Sequence, residues 1–183
     1  MKYPFIQKVY EGQSLIKNRG MMLFSKILVG VDNSEYSEKA LDYALEIADK
    51  FSASVLVLNV FQPPPEYEYQ SSMGQPLPAS ESSQEQMGNQ SNVVSFIKDL
   101  RKVHESVLSK AVERANKLKP NLEITAELKE GNASSQIVET ATNGQFDLIV
   151  IGHRGDRKIK ELFLGSTSEK VAHTARCAVL ITN

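Results

Sequence analysis

The stretch Phe146-Asp147-Leu148-Ile149-Val150-Ile151-Gly152-His153-Arg154-Gly155, followed after nine intervening residues by Gly165-Ser166-Thr167, decides the fold of this chain. Its apolar run reads as a short strand covered on both faces, the pattern of a parallel sheet. Glycines just past such a strand let backbone N–H groups approach a ligand closely, because no Cβ stands in the way. Gly165-Ser166-Thr167 opens a predicted helix, with Ser166 as its N-cap and Glu169 completing a capping box. Unpaired N–H groups and the positive dipole end at a helix start attract phosphate. Two glycine turns at one sheet edge therefore predict a cradle for a nucleotide phosphate.

Upstream, the same alternation of elements recurs. Lys26-Ile27-Leu28-Val29-Gly30-Val31 is the first predicted strand, and Asp32-Asn33-Ser34 follows it. Ser34 suits an N-cap, with Glu35 and Glu38 favourable in the first turn. Ala40, Leu41, Ala44, Leu45 and Ala48 then form the apolar stripe of a helix packed on a sheet. Residues 54–60 read as a second strand, apolar nearly throughout. Residues 62–92 are rich in Pro, Ser and Gln and predict a long flexible insertion.

A long amphipathic helix comes next, with Val93, Phe96, Ile97, Leu100, Val103, Val107, Ala111, Ala115 and Leu118 at helical spacing and Pro120 as its stop. Leu122, Ile124, Ala126 and Leu128 alternate inward on a predicted edge strand. Gly131-Asn132 opens a third helix, with Ile137, Val138 and Ala141 facing the sheet and Gly144 as its C-cap. After the strand at 147–151 comes the last helix, with Val171, Ala172 and Ala175 apolar, and then a fifth strand over 177–181. Strand and helix in alternation predict an α/β domain with a parallel sheet and right-handed crossovers. Ligands in such sheets bind at the carboxyl ends of the strands, where the strand order reverses.

Composition narrows the function. The chain has 183 residues, a formal net charge of -1 and one cysteine. The near-neutral balance speaks against a general nucleic-acid or membrane-surface binder. The local basic cluster Arg154, Arg157, Lys158 and Lys160 is compatible with a small anionic ligand. A lone Cys177 allows no internal disulfide and no site built on several thiolates, which fits a reducing cytoplasm. No apolar run is long enough to span a bilayer, and residues 1–20 lack the apolar core of a secretory signal. Met21 and Met22 stand just before the first strand, so residues 1–23 read either as a dispensable extension or as a loosely packed arm. His104 and His173 lie on helices with no partner at ligand spacing, which speaks against metal binding there.

Missing motifs matter equally. No G-x4-G-K-[ST] stretch occurs, and no G-x-G-x-x-G follows the first strand. No nucleophile–base or paired-carboxylate arrangement stands in a convincing context. A cradle of this kind suggests binding, with slow hydrolysis at most.

Residues 26–48, KILVGVDNSEYSEKALDYALEIA, resemble the opening of a universal stress protein domain, and residues 147–182 resemble its close. The pattern Gly152-x2-Gly155-x9-Gly165-Ser166 is similar to the signature of that family's nucleotide-binding branch. The resemblance covers residues 24–183, with the N-terminal residues and the proline-rich insertion as departures. It implies a doubly wound, Rossmann-like sheet of five parallel strands in the order 3-2-1-4-5. It also implies ATP, or AMP or cyclic AMP, in the crevice, with Mg²⁺ or Mn²⁺ carried by the phosphates. A homodimer pairing its last strands over 177–182, a cytoplasmic location, an unidentified regulatory partner and a role in stress survival are implied as well.

Residue by residue, the resemblance puts Gly152 and Gly155 at the ribose and phosphate side. It puts Gly165, Ser166 and Thr167 at the outer phosphates. Val31 and Asp32 approach adenine and ribose, Val60 offers backbone groups to the adenine edge, and Ile151 lies against the base. Arg154 is a candidate phosphate contact. Asp32 has two readings: it helps Ser34 start the helix, or its carboxylate accepts ribose hydroxyls or holds a nucleotide-borne Mg²⁺. A slow metal-dependent ATPase or phosphotransferase is the rival to a binding protein.

Overall fold

The structure is a computed structural model that describes residues 23–63, 83–153 and 164–183. Among the described residues, five strands and four helices follow in the order β1 (Lys26–Gly30), α1 (Glu35–Phe51), β2 (Ser54–Phe61), α2 (Ser83–Leu118), β3 (Ile124–Glu130), α3 (Ala133–Asn143), β4 (Leu148–Gly152), α4 (Ser166–Thr174) and β5 (Ala178–Thr182). The strands form one sheet in the order β3-β2-β1-β4-β5, and every pairing is parallel. The predicted doubly wound order is the observed one. β3 and β5 form the two edges.

Strand alternation divides the core. Ile27, Val29, Val55, Val57 and Val150 face α1 and α2, where they pack on Ala40, Leu41, Ala44, Leu45, Leu108 and Ala115. Leu28, Leu56, Leu58, Ile149 and Ile151 face the other way, onto Ile137, Ala141 and Val171 of α3 and α4. Both faces of the central strands are dry, which is why these strands read as unbroken apolar runs. At the start of α1, the Ser34 hydroxyl accepts from the Ser37 N–H at 3.1 Å, as its sequence position predicts.

Four local expectations change. First, α2 begins at Ser83, so residues 83–92 continue the long helix rather than the insertion. Gln84, Glu85, Gln86 and Met87 are good helix formers, and a packed helix propagates into such neighbours at little cost. The rest of the predicted insertion, residues 64–82, lies outside the described residues, as do residues 1–22 and the side chain of Val93.

Second, α2 buries only part of the predicted stripe and adds Leu108 to it. Ile97, Leu108 and Ala115 reach the core, whereas Phe96 and Val103 are 55% and 60% exposed and Leu118 is exposed as well. The buried and the exposed members alike have helical spacing, so periodicity could not choose between them. Third, Ala126 of β3 is exposed although Ile124 and Leu128 are half-buried. An edge strand is covered only where a helix overlies it. Fourth, Gly144 caps α3 in a right-handed conformation (φ -80°), and Gln145 takes the left-handed turn (φ 54°). The missing Cβ at Gly144 makes room for the Phe146 ring, whose Cε2 would lie 2.4 Å from it.

Gly152 also has a packing role. A Cβ there would lie 2.8 Å from Tyr36 Cβ and 2.9 Å from the Tyr36 carbonyl carbon. The glycine is needed because the first turn of α1 rests on the end of β4. Thr182 adds to this seam by donating its hydroxyl to the Tyr36 carbonyl at 3.2 Å. Gly152→Ala is therefore expected to lower unfolding free energy by about 1–3 kcal/mol through overpacking. Urea denaturation reads this without any ligand, and an unchanged midpoint contradicts it.

α2 is fastened to the sheet by a polar pair in an otherwise apolar layer. Asn59 of β2 is 0% exposed, and its Oδ1 lies 2.7 Å from Nδ1 of His104 on α2. Phe61 stacks obliquely on the His104 ring at 5.5 Å, and the Arg101 guanidinium lies 5.6 Å from the Phe61 ring. Burial pushes the His104 pKa below its ordinary 6.5, and the Asp32 carboxylate opposes that shift. The unfolded chain then binds a proton more readily than the native state. The stabilisation by neutral His104 is fully present above about pH 6.5 and falls as pH drops below it. The urea midpoint should decline between about pH 7.5 and about pH 5.5, and His104→Asn should flatten part of that decline.

Candidate functional site

The crevice opens where β1 ends and its neighbours run on. Val31 sends its N–H back to the Leu58 carbonyl at 2.9 Å, and the chain then leaves the sheet. Successive residues of a central strand turn their backbone polar groups to opposite neighbours. The Ser54 N–H and the Leu58 carbonyl serve the β1 side, whereas the Val55 N–H and the Phe61 carbonyl serve the β3 side. By that alternation the N–H and C=O of Val60 turn toward the side that β1 has vacated. Continuation of the ladder would join the Val60 N–H to the Val31 carbonyl. That carbonyl instead accepts from Asn59 Nδ2 at 2.6 Å.

One cleft gathers Val31, Asp32, Val60, Ile151, Gly152 and Thr167. These are six of the predicted site residues, brought from the ends of β1, β2 and β4 and the start of α4. Sequence reasoning missed Gly30, Leu58, Ala133, Ile137 and Ser168, which share the lining. Leu58, Ile137 and Ile151 are almost fully buried and make its walls apolar.

Gly152 and His153 meet the segment around Gly165 in space. The Gly165 N–H donates to the His153 carbonyl at 2.7 Å, and the Ser168 hydroxyl donates to the Gly152 carbonyl at 2.7 Å. The start of α4 is thus tied to the end of β4. His153 is held in turn by Tyr36, whose ring it meets edge-on at 4.1 Å, and by the Thr182 carbonyl, which accepts its backbone N–H at 2.7 Å.

Ser166 does not cap α4. Gly165 is the N-cap, and among the described residues no side chain accepts from the first-turn N–H groups. Ser166 instead occupies the first helical position, because the bond from Gly165 to His153 fixes the turn one residue earlier than the capping-box pattern implies. Ser166 lines an adjoining hollow with Asn132, Ser134, Glu169, Lys170 and His173, and Thr167 borders both spaces. Arg154 and Gly155 lie outside the described residues.

Both readings of Asp32 have a structural counterpart. Its Oδ1 accepts from the Ser34 N–H at 3.1 Å and from the Ser34 hydroxyl at 2.6 Å. Those bonds support the cap of α1. Among the described residues no hydrogen bond reaches Oδ2, and the residue borders the cleft. Cys177, half-buried beside β5, has its thiol pKa pushed up by burial, so it remains a thiol at neutral pH. Among the described residues no three His, Cys, Asp or Glu side chains converge to hold a metal ion. Among the same residues no helix is long and apolar enough to cross a membrane.

An apolar cleft lined by strand ends and by the start of a helix suits a ligand with a flat ring and an anionic tail. Comparison with known proteins agrees with the architecture. A universal stress protein of Methanocaldococcus jannaschii is 32% identical over 184 residues, covering 99% of this chain and 96% of that one. The solved universal stress protein UspA from Lactobacillus plantarum superposes with a TM-score of 0.66 at 20% identity, over 87% of this chain and 98% of that one. A universal stress protein solved in complex with cAMP superposes with a TM-score of 0.60 at 23% identity, over 88% and 98%. At those identities the structural likeness speaks for the fold. The sequence model of the universal stress protein family matches residues 23–183, and the chain belongs to that family.

Proposed function

We propose that this protein binds an adenine nucleotide, ATP in the first place, and acts as a regulatory binding protein rather than a fast catalyst. The observation that carries the reading is the junction at 2.7 Å between the two glycine turns. It places the uncapped start of α4 beside the apolar cleft at the sheet's switch point. In this reading the base lies between Val60 and Ile151, and the ribose meets Asp32. The phosphates run toward Thr167 and the first-turn N–H groups of α4, with Ser166, Arg154 and Gly155 at the outer end. The cAMP complex of a related fold supports an adenine nucleotide as the ligand class.

Mg²⁺ or Mn²⁺ arrives with the phosphates, and Asp32 Oδ2 is the carboxylate oxygen available to it. Bound nucleotide changes a surface that a regulatory partner reads in the cytoplasm. Binding is preferred to turnover because the cleft presents main-chain donors and apolar walls, and Asp32 already spends one oxygen on Ser34.

Isothermal titration with ATP, AMP and cyclic AMP tests the reading. At least one should bind with a Kd below about 1 mM, and silence from all three at millimolar concentration defeats it. Asp32→Asn keeps an acceptor for Ser34 but removes the charge. It should weaken Mg-ATP by about tenfold and AMP far less.

A homodimer through β5 completes the proposal. Ala178, Val179, Leu180 and Ile181 are only half-covered at this edge. Thr182 turns its carbonyl to β4 by accepting from His153, so alternation leaves the Val179 N–H pointing outward. Val179→Pro removes that outward donor without touching the β4 ladder. Light scattering should show a dimer for the native chain and a monomer for Val179→Pro; equal masses for both would count against pairing through this strand.

A further inference from the structure

We propose that Asn59, held by His104, is a positioning pair for adenine recognition: its side-chain amide occupies the Val31 carbonyl and so leaves the Val60 N–H for an acceptor atom on the base. The inference rests on the nucleotide-binding reading above and extends it to residues outside the cleft.

Hydrogen-bond chemistry fixes the orientation of the pair. The Val31 carbonyl can only accept, so the Asn59 atom 2.6 Å from it is the NH₂ group. The other Asn59 atom is then the carbonyl oxygen, which can only accept from His104. His104 must donate through Nδ1–H across the 2.7 Å contact. The three groups form a directed chain from α2 on one face of the sheet to the end of β1. Each link is determined by the one before it.

The consequence falls on β2. The register Gly30 with Leu58 and the bond from the Val31 N–H to the Leu58 carbonyl show the β1–β2 ladder intact up to that point. The next bond of a parallel ladder would run from the Val60 N–H to the Val31 carbonyl. Among the described residues no such bond forms, and the Val31 carbonyl accepts from Asn59 instead. Residue 59 faces α1 and α2, whereas Val60 lines the cleft on the opposite face. One side chain thereby uncouples two strands and exposes a backbone donor where a purine edge would lie. His104 is the far end of that device, and Phe61 stacked on its ring limits its rotation.

Two variants and two readouts test this. His104→Leu removes the donor and leaves the buried Asn59 oxygen unpaired, while His104→Asn returns an N–H near the Nδ1 position. Titration with AMP reports the base, and titration with ribose 5-phosphate reports the sugar–phosphate end alone. AMP affinity should fall about tenfold in His104→Leu and recover in His104→Asn, with ribose 5-phosphate unchanged throughout. Equal AMP affinity in His104→Leu and the native protein overturns the proposal. So does an equal loss for both ligands, which would mark a merely structural role.

The second readout needs no nucleotide. In the native protein the backbone N–H of Val60 should exchange rapidly with solvent deuterium by NMR. In His104→Leu it should become protected, as the ladder closes onto the Val31 carbonyl. Unchanged exchange overturns the proposal. If the native chain binds no adenine nucleotide, the binding reading fails, and the exchange measurement alone still decides the role of Asn59 and His104.

Discussion

A parallel sheet covered on both faces has no water to satisfy its backbone, so every strand end is a point where polar groups must find another partner. The structure depends on how that obligation is met where β1 stops at Gly30 while β2 continues from Leu58 to Phe61. Val31 returns one bond to Leu58, Asn59 takes the Val31 carbonyl, and Val60 is turned toward the opening. On the other side of the gap β4 ends at Gly152, whose carbonyl is taken by Ser168. The cleft is what remains between two strands whose shared neighbour has left. Its position follows from the strand order, since the neighbours β1 and β4 lead into helices on opposite faces of the sheet, α1 and α4.

The same gap organises the helices around it. α1 starts immediately after β1 and presses its first turn onto Gly152, which is why that residue lacks a side chain. α4 starts where Gly165 bonds to His153, so its first-turn N–H groups open beside the end of β4. The glycine pattern thus serves two separate demands. One glycine allows helix α1 to pack against strand β4, and the other sets the turn that aims α4. The dipole of α4 favours an anion there, and the apolar walls of Leu58, Ile137 and Ile151 favour a ring. The combination suits a nucleotide better than either half alone.

Much of this was legible residue by residue. The strands announced themselves because burial on both faces leaves only apolar β-branched or Leu residues, as in Ile27-Leu28-Val29 and Leu148-Ile149-Val150. The cap at Ser34 was legible because it depends on atoms three residues apart. α2 was harder: Phe96 and Ile97 each belong to a helical stripe, and only contact with β2 and β3 determines that Ile97 is buried and Phe96 is not. Ser166 fits a capping box by spacing, yet a bond from Gly165 to a residue twelve positions earlier sets the helix start. Asn59 carried a signal, being the one polar residue inside an apolar strand. Its partners His104 and Val31 lie 45 and 28 residues away and could not be inferred from it.

Sequence by itself therefore determined the alternation of strands and helices, the strand order through its family signature, and the two glycine turns, because each rests on local spacing or on residues with special backbone freedom. Tertiary structure alone decided which face of α2 is buried, why Gly152 is a glycine, where α4 begins, and which backbone donor is left exposed at the end of β2. Those outcomes arise from competition for a single acceptor or a single volume between segments far apart in the chain, and such competition has no trace in the spacing of neighbours.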